Sequence, residues 1–194
     1  SILDYEKAYK LGKKEYQQRM SHGEKPTLLV LDDILPAKGS YSEIPLGLVQ
    51  IPLEQVVGTK TNSRCNAFAR NFMPILEQDS EFAQKWGALS TAVEENGLRD
   101  PIKAYEYMNQ FYVEEGNKRV SVSKFFDGIE IPGFVTRIIP KKSEDKENKI
   151  SAEENIEIFK RLNVWTDEYL DSAENKEAIK KIAEKYKSNL TTDN

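Results

Sequence analysis

Apolar and aromatic side chains recur at helical spacing along residues 2–20. Tyr5, Tyr9, Gly12, Tyr16 and Met20 share one face, and Lys and Glu take the opposite one. The spacing predicts a helix stopped within Ser21 to Pro26, because Gly suits a helix C-terminus and Pro cannot continue the helix. Leu28 to Leu35 is a short apolar run before Pro36 and reads as a second short helix. Ala37 to Ser42 reads as a linker, so residues 1–43 are expected to form an N-terminal helical arm.

From Ile44 the pattern changes to alternating strands and helices, the mark of an α/β (α+β) unit. Leu46 to Pro52 reads as a strand and Leu53 to Val57 as a helical turn. Gly58 to Arg64 reads as a polar loop carrying two cations. Phe82, Trp86, Leu89 and Val93 then fall at four-, three- and four-residue steps, with Asp79 or Ser80 as N-cap and Gly97 at the C-cap. That stripe is assigned to the core. Ile102 to Tyr107 and Phe111 to Val113 flank a polar turn at Met108 to Gln110 and predict a hairpin. A helix from Lys118, strands at Ile129 to Ile131 and Phe134 to Ile139, and a stop at Pro140 complete a domain spanning 44–140. Residues 141–194 are a charged linker followed by helices. Ser151 to Glu154 forms a capping box, Ile156, Phe159 and Leu162 share one face, and a last helix carries Ile179, Ile182 and Tyr186.

At 194 residues, 39% hydrophobic and 31% charged, the chain suits one globular domain with appendages. It has no apolar run near the roughly 20 residues that span a bilayer, so no membrane partner is expected. No basic-then-apolar leader precedes the first helix, although a start at Ser1 leaves one upstream open. The single Cys65 excludes an internal disulfide and points to a reducing cytoplasm. Cys65 and the lone His22 cannot build a thiolate or imidazole cage, so no metal site is expected.

The net charge of −4 argues against a wholly nucleic-acid-binding surface. Between Lys118 and Lys142, however, Lys118, Arg119, Lys124, Arg137, Lys141 and Lys142 meet only Asp127 and Glu130. Such a patch beside the acidic stretch from Glu144 suits a polyanion such as nucleic acid, although a run of solvated lysines is the commoner origin of such a pattern.

The strongest candidate chemistry lies at Phe111 to Phe126. A strand, a Gly-Asn turn and a helix opening on two cations place Gly116, Asn117, Lys118 and Arg119 together. First-turn N–H groups lack internal partners and the helix dipole is positive there. Gly116 permits close backbone approach, and Asn117 is the expected N-cap. The combination forms an anion site. The same residues also suit a plain connection in which they only cap and solvate.

Ile51-Pro-Leu53, Gly97-Leu98, Pro101-Ile102 and Gly116 to Arg119 occur in an order and spacing that resemble the ParB/sulfiredoxin superfamily, over about half the chain. The resemblance implies a mixed sheet with flanking helices, and a bound nucleotide, CTP or ATP/ADP with Mg, gripped by Gly116, Asn117, Lys118 and Arg119. It brings Thr59, Lys60, Thr61 and Arg64 to the same anion from the earlier connection. It also implies a cytoplasmic, bacterial, DNA-associated regulatory module.

The departures are specific. Sulfiredoxin carries a cysteine in the box, whereas this chain reads Glu115-Gly-Asn-Lys118, and residues 141–194 contain no convincing recognition helix. An NTPase, phosphotransferase or nuclease-like enzyme of the same fold is the alternative, with Glu115 or Glu54 as base and Lys118 and Arg119 as charge stabilisers. Asp100 and Glu114 are further acidic candidates, and alternation along a strand lets only one of Glu114 and Glu115 face the site. A ligand-free interaction domain is the remaining reading.

Overall fold

The computed structural model describes residues 1–35, 41–98 and 100–140, with Arg64 and Pro140 described in backbone alone. The expected linker from 141, the helices after it and the Lys141 and Lys142 end of the basic stretch lie outside the described residues.

The element order is α1 (Ile2–Ser21), β1 (Leu29–Val30), α2 (Leu31–Ile34), β2 (Tyr41–Pro52), β3 (Val56–Thr59), α3 (Glu81–Asn96), β4 (Ile102–Tyr107), β5 (Gln110–Glu115), α4 (Asn117–Phe125) and β6 (Glu130–Pro140). This is the α/β class expected from the sequence: one six-stranded mixed sheet in the order β1-β3-β5-β4-β6-β2, with flanking helices. The chain divides into two compact units. Among the described residues, one is built around Ser1–Leu35, Leu48–Tyr105 and Phe111–Phe134, and the other around 41–47, Glu106–Gln110 and 135–140.

In the first unit, α1 starts at a capping box in which the Ser1 hydroxyl accepts from the Asp4 N–H and Asp4 reaches back. Its buried stripe is Tyr5, Ala8 and Gly12. A Cβ at Gly12 would sit 2.2 Å from the Pro74 carbonyl oxygen, so only glycine lets the helix lie this close. Tyr5 and Ala8 join Met73, Ala83, Trp86 and Val122 in one apolar cluster, with Phe82, Leu89, Val93 and Phe125 packed against it. The α3 stripe faces this core as the spacing predicts. The cap is Ser80, whose hydroxyl accepts from the Ala83 N–H, and Gly97 closes the helix at φ 74°. Trp86 is fully buried, donates to the Ser121 hydroxyl at 2.8 Å, and meets Tyr5 and Phe125 edge-on with ring centres 5.5 Å apart.

Four stretches differ from the sequence reading. The helical turn after Pro52 ends at Gln55, and Val56–Thr59 is a strand parallel to both β1 and β5. Two adjacent valines favour extended backbone, and Gly58 admits β1: a Cβ there would be 2.2 Å from the Leu29 carbonyl oxygen. Leu28 to Leu35 is accordingly half strand and half helix. The two strands expected around Pro132-Gly133 are one strand, β6, in which Gly133 gives way to the Ile51 and Ile102 side chains. Tyr41 and Ser42, expected in the linker, open β2.

In the second unit, Met108 and Asn109 turn the β4–β5 hairpin with φ of 51° and 66°. Positive φ at both central residues is the two-residue geometry that matches strand twist. Beside it, Glu106 and Arg137 form a fully buried ion pair, Nε to Oε2 2.7 Å, and the second Glu106 oxygen accepts the Asn109 N–H at 2.9 Å.

Candidate functional site

Strand β5 runs fully buried through Phe111, Tyr112 and Val113, then surfaces at Glu114 and Glu115. Gly116 follows at φ 116°, ψ 26°, a left-handed conformation that reverses the chain into α4. A Cβ on Gly116 would lie 2.6 Å from Ile102 Cγ2 and 3.1 Å from Arg119 Nη2, so the turn excludes any other residue. The N-cap is therefore Gly116. Asn117, expected there, is already in the helix, and no side chain caps α4. Asn117 instead donates from Nδ2 to the Thr59 hydroxyl at 3.3 Å, and its Oδ1 is buried without a hydrogen-bond partner.

A cavity of about 650 Å³ opens before this helix end, lined by Gly116, Asn117, Lys118, Arg119, Asp100, Glu114, Glu115, Phe68, Phe82 and Leu89. Lys118 Nζ stands 5.2 Å from the centre of the Phe82 ring. Arg119 Nη1 donates to the carbonyl oxygens of Asp100 and Pro101, both at 2.9 Å. The guanidinium is thus pinned by backbone on one edge, with Nη2 beside Gly116. A smaller recess of about 290 Å³, formed at the α3 C-terminus with Val93, Asn96 and Leu98, shares Leu89, Asp100 and Arg119 with it.

The other sequence candidates separate. Thr59 is the buried last residue of β3. It touches the box only through Asn117, while its hydroxyl donates to the Val113 carbonyl at 3.1 Å. Lys60 is directed to the Asp32 carboxylate and lies over the Tyr105 ring. Thr61 is exposed with its hydroxyl 3.1 Å from that of Ser63, and neither Lys60 nor Thr61 borders the cavity. The Arg64 backbone lies in the 3-10 turn Asn62–Ala67.

Glu115 borders the cavity, exposed and 3.5 Å from Lys103 Nζ. Glu114 borders it too, so the expected alternation does not keep one of the two carboxylates away from the cavity. Glu54 sits near Lys124, at the far end of a nine-residue helix about 13 Å long. Glu54 and Glu115 therefore do not share a site. Phe82 was legible only as core; half-buried at the start of α3, it serves the cavity as well.

The expected basic patch is not an open face among the described residues. Lys118 and Arg119 are half-buried in the cavity wall, and Arg137 is buried against Glu106. Lys124 is half-buried with Nζ 5.2 Å from the Phe72 ring centre, and burial pushes its ammonium down to about 8, partly offset by Glu54. No group of three or more His, Cys, Asp or Glu among the described residues is arranged to hold a metal ion. No described helix is long and apolar enough to cross a membrane.

No family model and no curated protein matches the sequence. Among solved structures, sulfiredoxin from Arabidopsis thaliana is similar at 19% identity and a TM-score of 0.32, over 45% of this chain and 82% of that one. The C-terminally truncated chromosome-partitioning protein ParB from Caulobacter crescentus, complexed with CTP-gamma-S, is similar at 16% identity and a TM-score of 0.32, over 57% of this chain. A Pnob8-like ParB-N domain is similar at 12% identity and the same TM-score, over 78%. The chain spans about half the length of these two ParB chains, 53% and 51%.

Proposed function

We propose that the chain is a nucleotide- or phosphate-binding module whose anion site is the cavity at the start of α4. The observation that carries the reading is the uncapped N-terminus of α4 facing a cavity of about 650 Å³ that Lys118 and Arg119 also line. First-turn N–H groups and the helix dipole favour an anion there, and Arg119 is held ready by the Asp100 and Pro101 carbonyls. The order of the Gly97-Leu98, Pro101-Ile102 and Gly116 to Arg119 motifs supports the same reading.

The test is a melting-temperature screen of the full chain against CTP, ATP, ADP, GTP and inorganic phosphate, each with magnesium. At least one of them should raise Tm by mass action. Absence of any shift at millimolar ligand overturns the reading and leaves an interaction domain. A phosphotransferase or hydrolase reading is favoured by one further observation, the exposed Glu115 carboxylate bordering the same cavity. Turnover lost in Glu115→Gln with ligand binding retained would establish it.

A further inference from the structure

Helix α1 buries Tyr5, Ala8 and Gly12, and at 100° per residue the opposite side is shared by Leu3, Lys7, Lys10, Leu11, Lys14, Gln17, Gln18 and Ser21. All eight are exposed, and one acid, the half-buried Glu6, stands on the same side, about 40° round the helix from Lys10. The other acids lie off this side: Asp4 in the cap, and Glu15, which is engaged by Arg19. Among the described residues none of Lys7, Lys10 and Lys14 is in an ion pair. A chain of net charge −4 thus sets three lysines against one glutamate on one solvent-facing helix side about 27 Å long, at 1.5 Å per residue.

We infer that this outer face of α1 is a sequence-tolerant binding surface for the phosphate backbone of duplex nucleic acid. Charge complementarity selects the partner. Lys7 to Lys14 spans about 10 Å of helix, and a duplex carries one phosphate charge per roughly 1.7 Å of its axis, so each lysine has a phosphate within reach. Gln17, Gln18 and Ser21 extend the face with side chains that bond phosphate and sugar oxygens. An anionic bilayer fits less well. The apolar stripe that would enter the lipid is already buried against the core, and Leu3 and Leu11 alone give little apolar area. The face is independent of the α4 cavity, so either assignment can fail without the other.

The test is fluorescence anisotropy of the full chain with a labelled mixed-sequence duplex across a salt series, without nucleotide. Each lysine that meets a phosphate contributes about −0.9 to the slope of log affinity on log salt. The triple variant Lys7→Gln, Lys10→Gln, Lys14→Gln should flatten the slope by about 2.7 units. That difference is roughly a fortyfold change over a fourfold rise in salt. All three side chains are exposed, so the melting temperature should hold, and Lys85→Gln on α3 should leave the slope unchanged. Absence of duplex binding at low salt overturns the proposal, as does an unchanged slope in the triple variant. Triple-variant loss of binding to phosphatidylserine vesicles, with duplex binding intact, overturns it in favour of a membrane.

Discussion

The two ends of α4 carry the same local contact and reach opposite outcomes. At the N-terminal end Lys118 stands over Phe82, and at the C-terminal end Lys124 stands over Phe72, each with Nζ 5.2 Å from the ring centre. Lys118 borders an open cavity, where an arriving anion can use its charge. Lys124 is packed where burial pushes its ammonium down to about 8, and Glu54 only partly restores the charge. A cation over a ring is therefore not a functional signature by itself. What surrounds the ammonium decides whether it serves a ligand or is a liability to be neutralised.

Removing the support common to both ends should have the largest effect. Trp86 holds the middle of α4 through Ser121 and lies edge-on to Phe125. Trp86→Ala should cost about 3–5 kcal/mol in urea unfolding and disturb both ends together. If one end kept its behaviour, the helix would not be acting as a unit.

Arg119→Ala should act at the first end only. If the proposed anion site holds a phosphate, losing the Arg119 guanidinium should weaken its binding by about 1.5–3 kcal/mol in isothermal titration. The pH dependence of stability that Lys124 generates should survive, and an unchanged nucleotide affinity would dismiss the assignment of Arg119.

The smallest effect belongs to the second end. The folded Lys124 value of about 8 lies below the ordinary 10.5. Between those values the unfolded chain binds more protons than the folded one, so stability rises with pH across that window. Lys124→Met keeps a long apolar stem over Phe72 and should flatten this rise. It should also stabilise the protein at pH 7 by on the order of 1 kcal/mol, with nucleotide affinity untouched. Thermal melts from pH 7 to 10.5 would show it.

Elements with strong local signals were legible in the sequence. The α3 stripe, its Ser80 and Gly97 ends and the hairpin all follow from spacing and turn chemistry. Strands β1 and β3 were not, because two and four residues carry too little periodicity and their pairing is set by a neighbour's backbone beside Gly58. At the site, the grouping of Gly116 with Lys118 and Arg119 was visible, but the cap shifted by one residue. The left-handed Gly116 turns the chain before Asn117 can cap it. The parting of Glu54 from Glu115 and the burial of Lys124 and Arg137 depend on packing between distant segments, which no local pattern encodes.

The Glu106 carboxylate has a consequence for how the sheet assembles. One oxygen holds the Arg137 guanidinium and the other holds the Asn109 amide, so a single side chain links β4, β6 and the hairpin turn. A strand displaced by one residue turns every side chain to the other face. Here such a slip would strand the arginine charge in the interior and release the turn at once, making the misaligned hairpin dearer by several kcal/mol than an apolar pair would. Glu106 thus favours one strand alignment over its neighbours: the native pairing satisfies both of its oxygens.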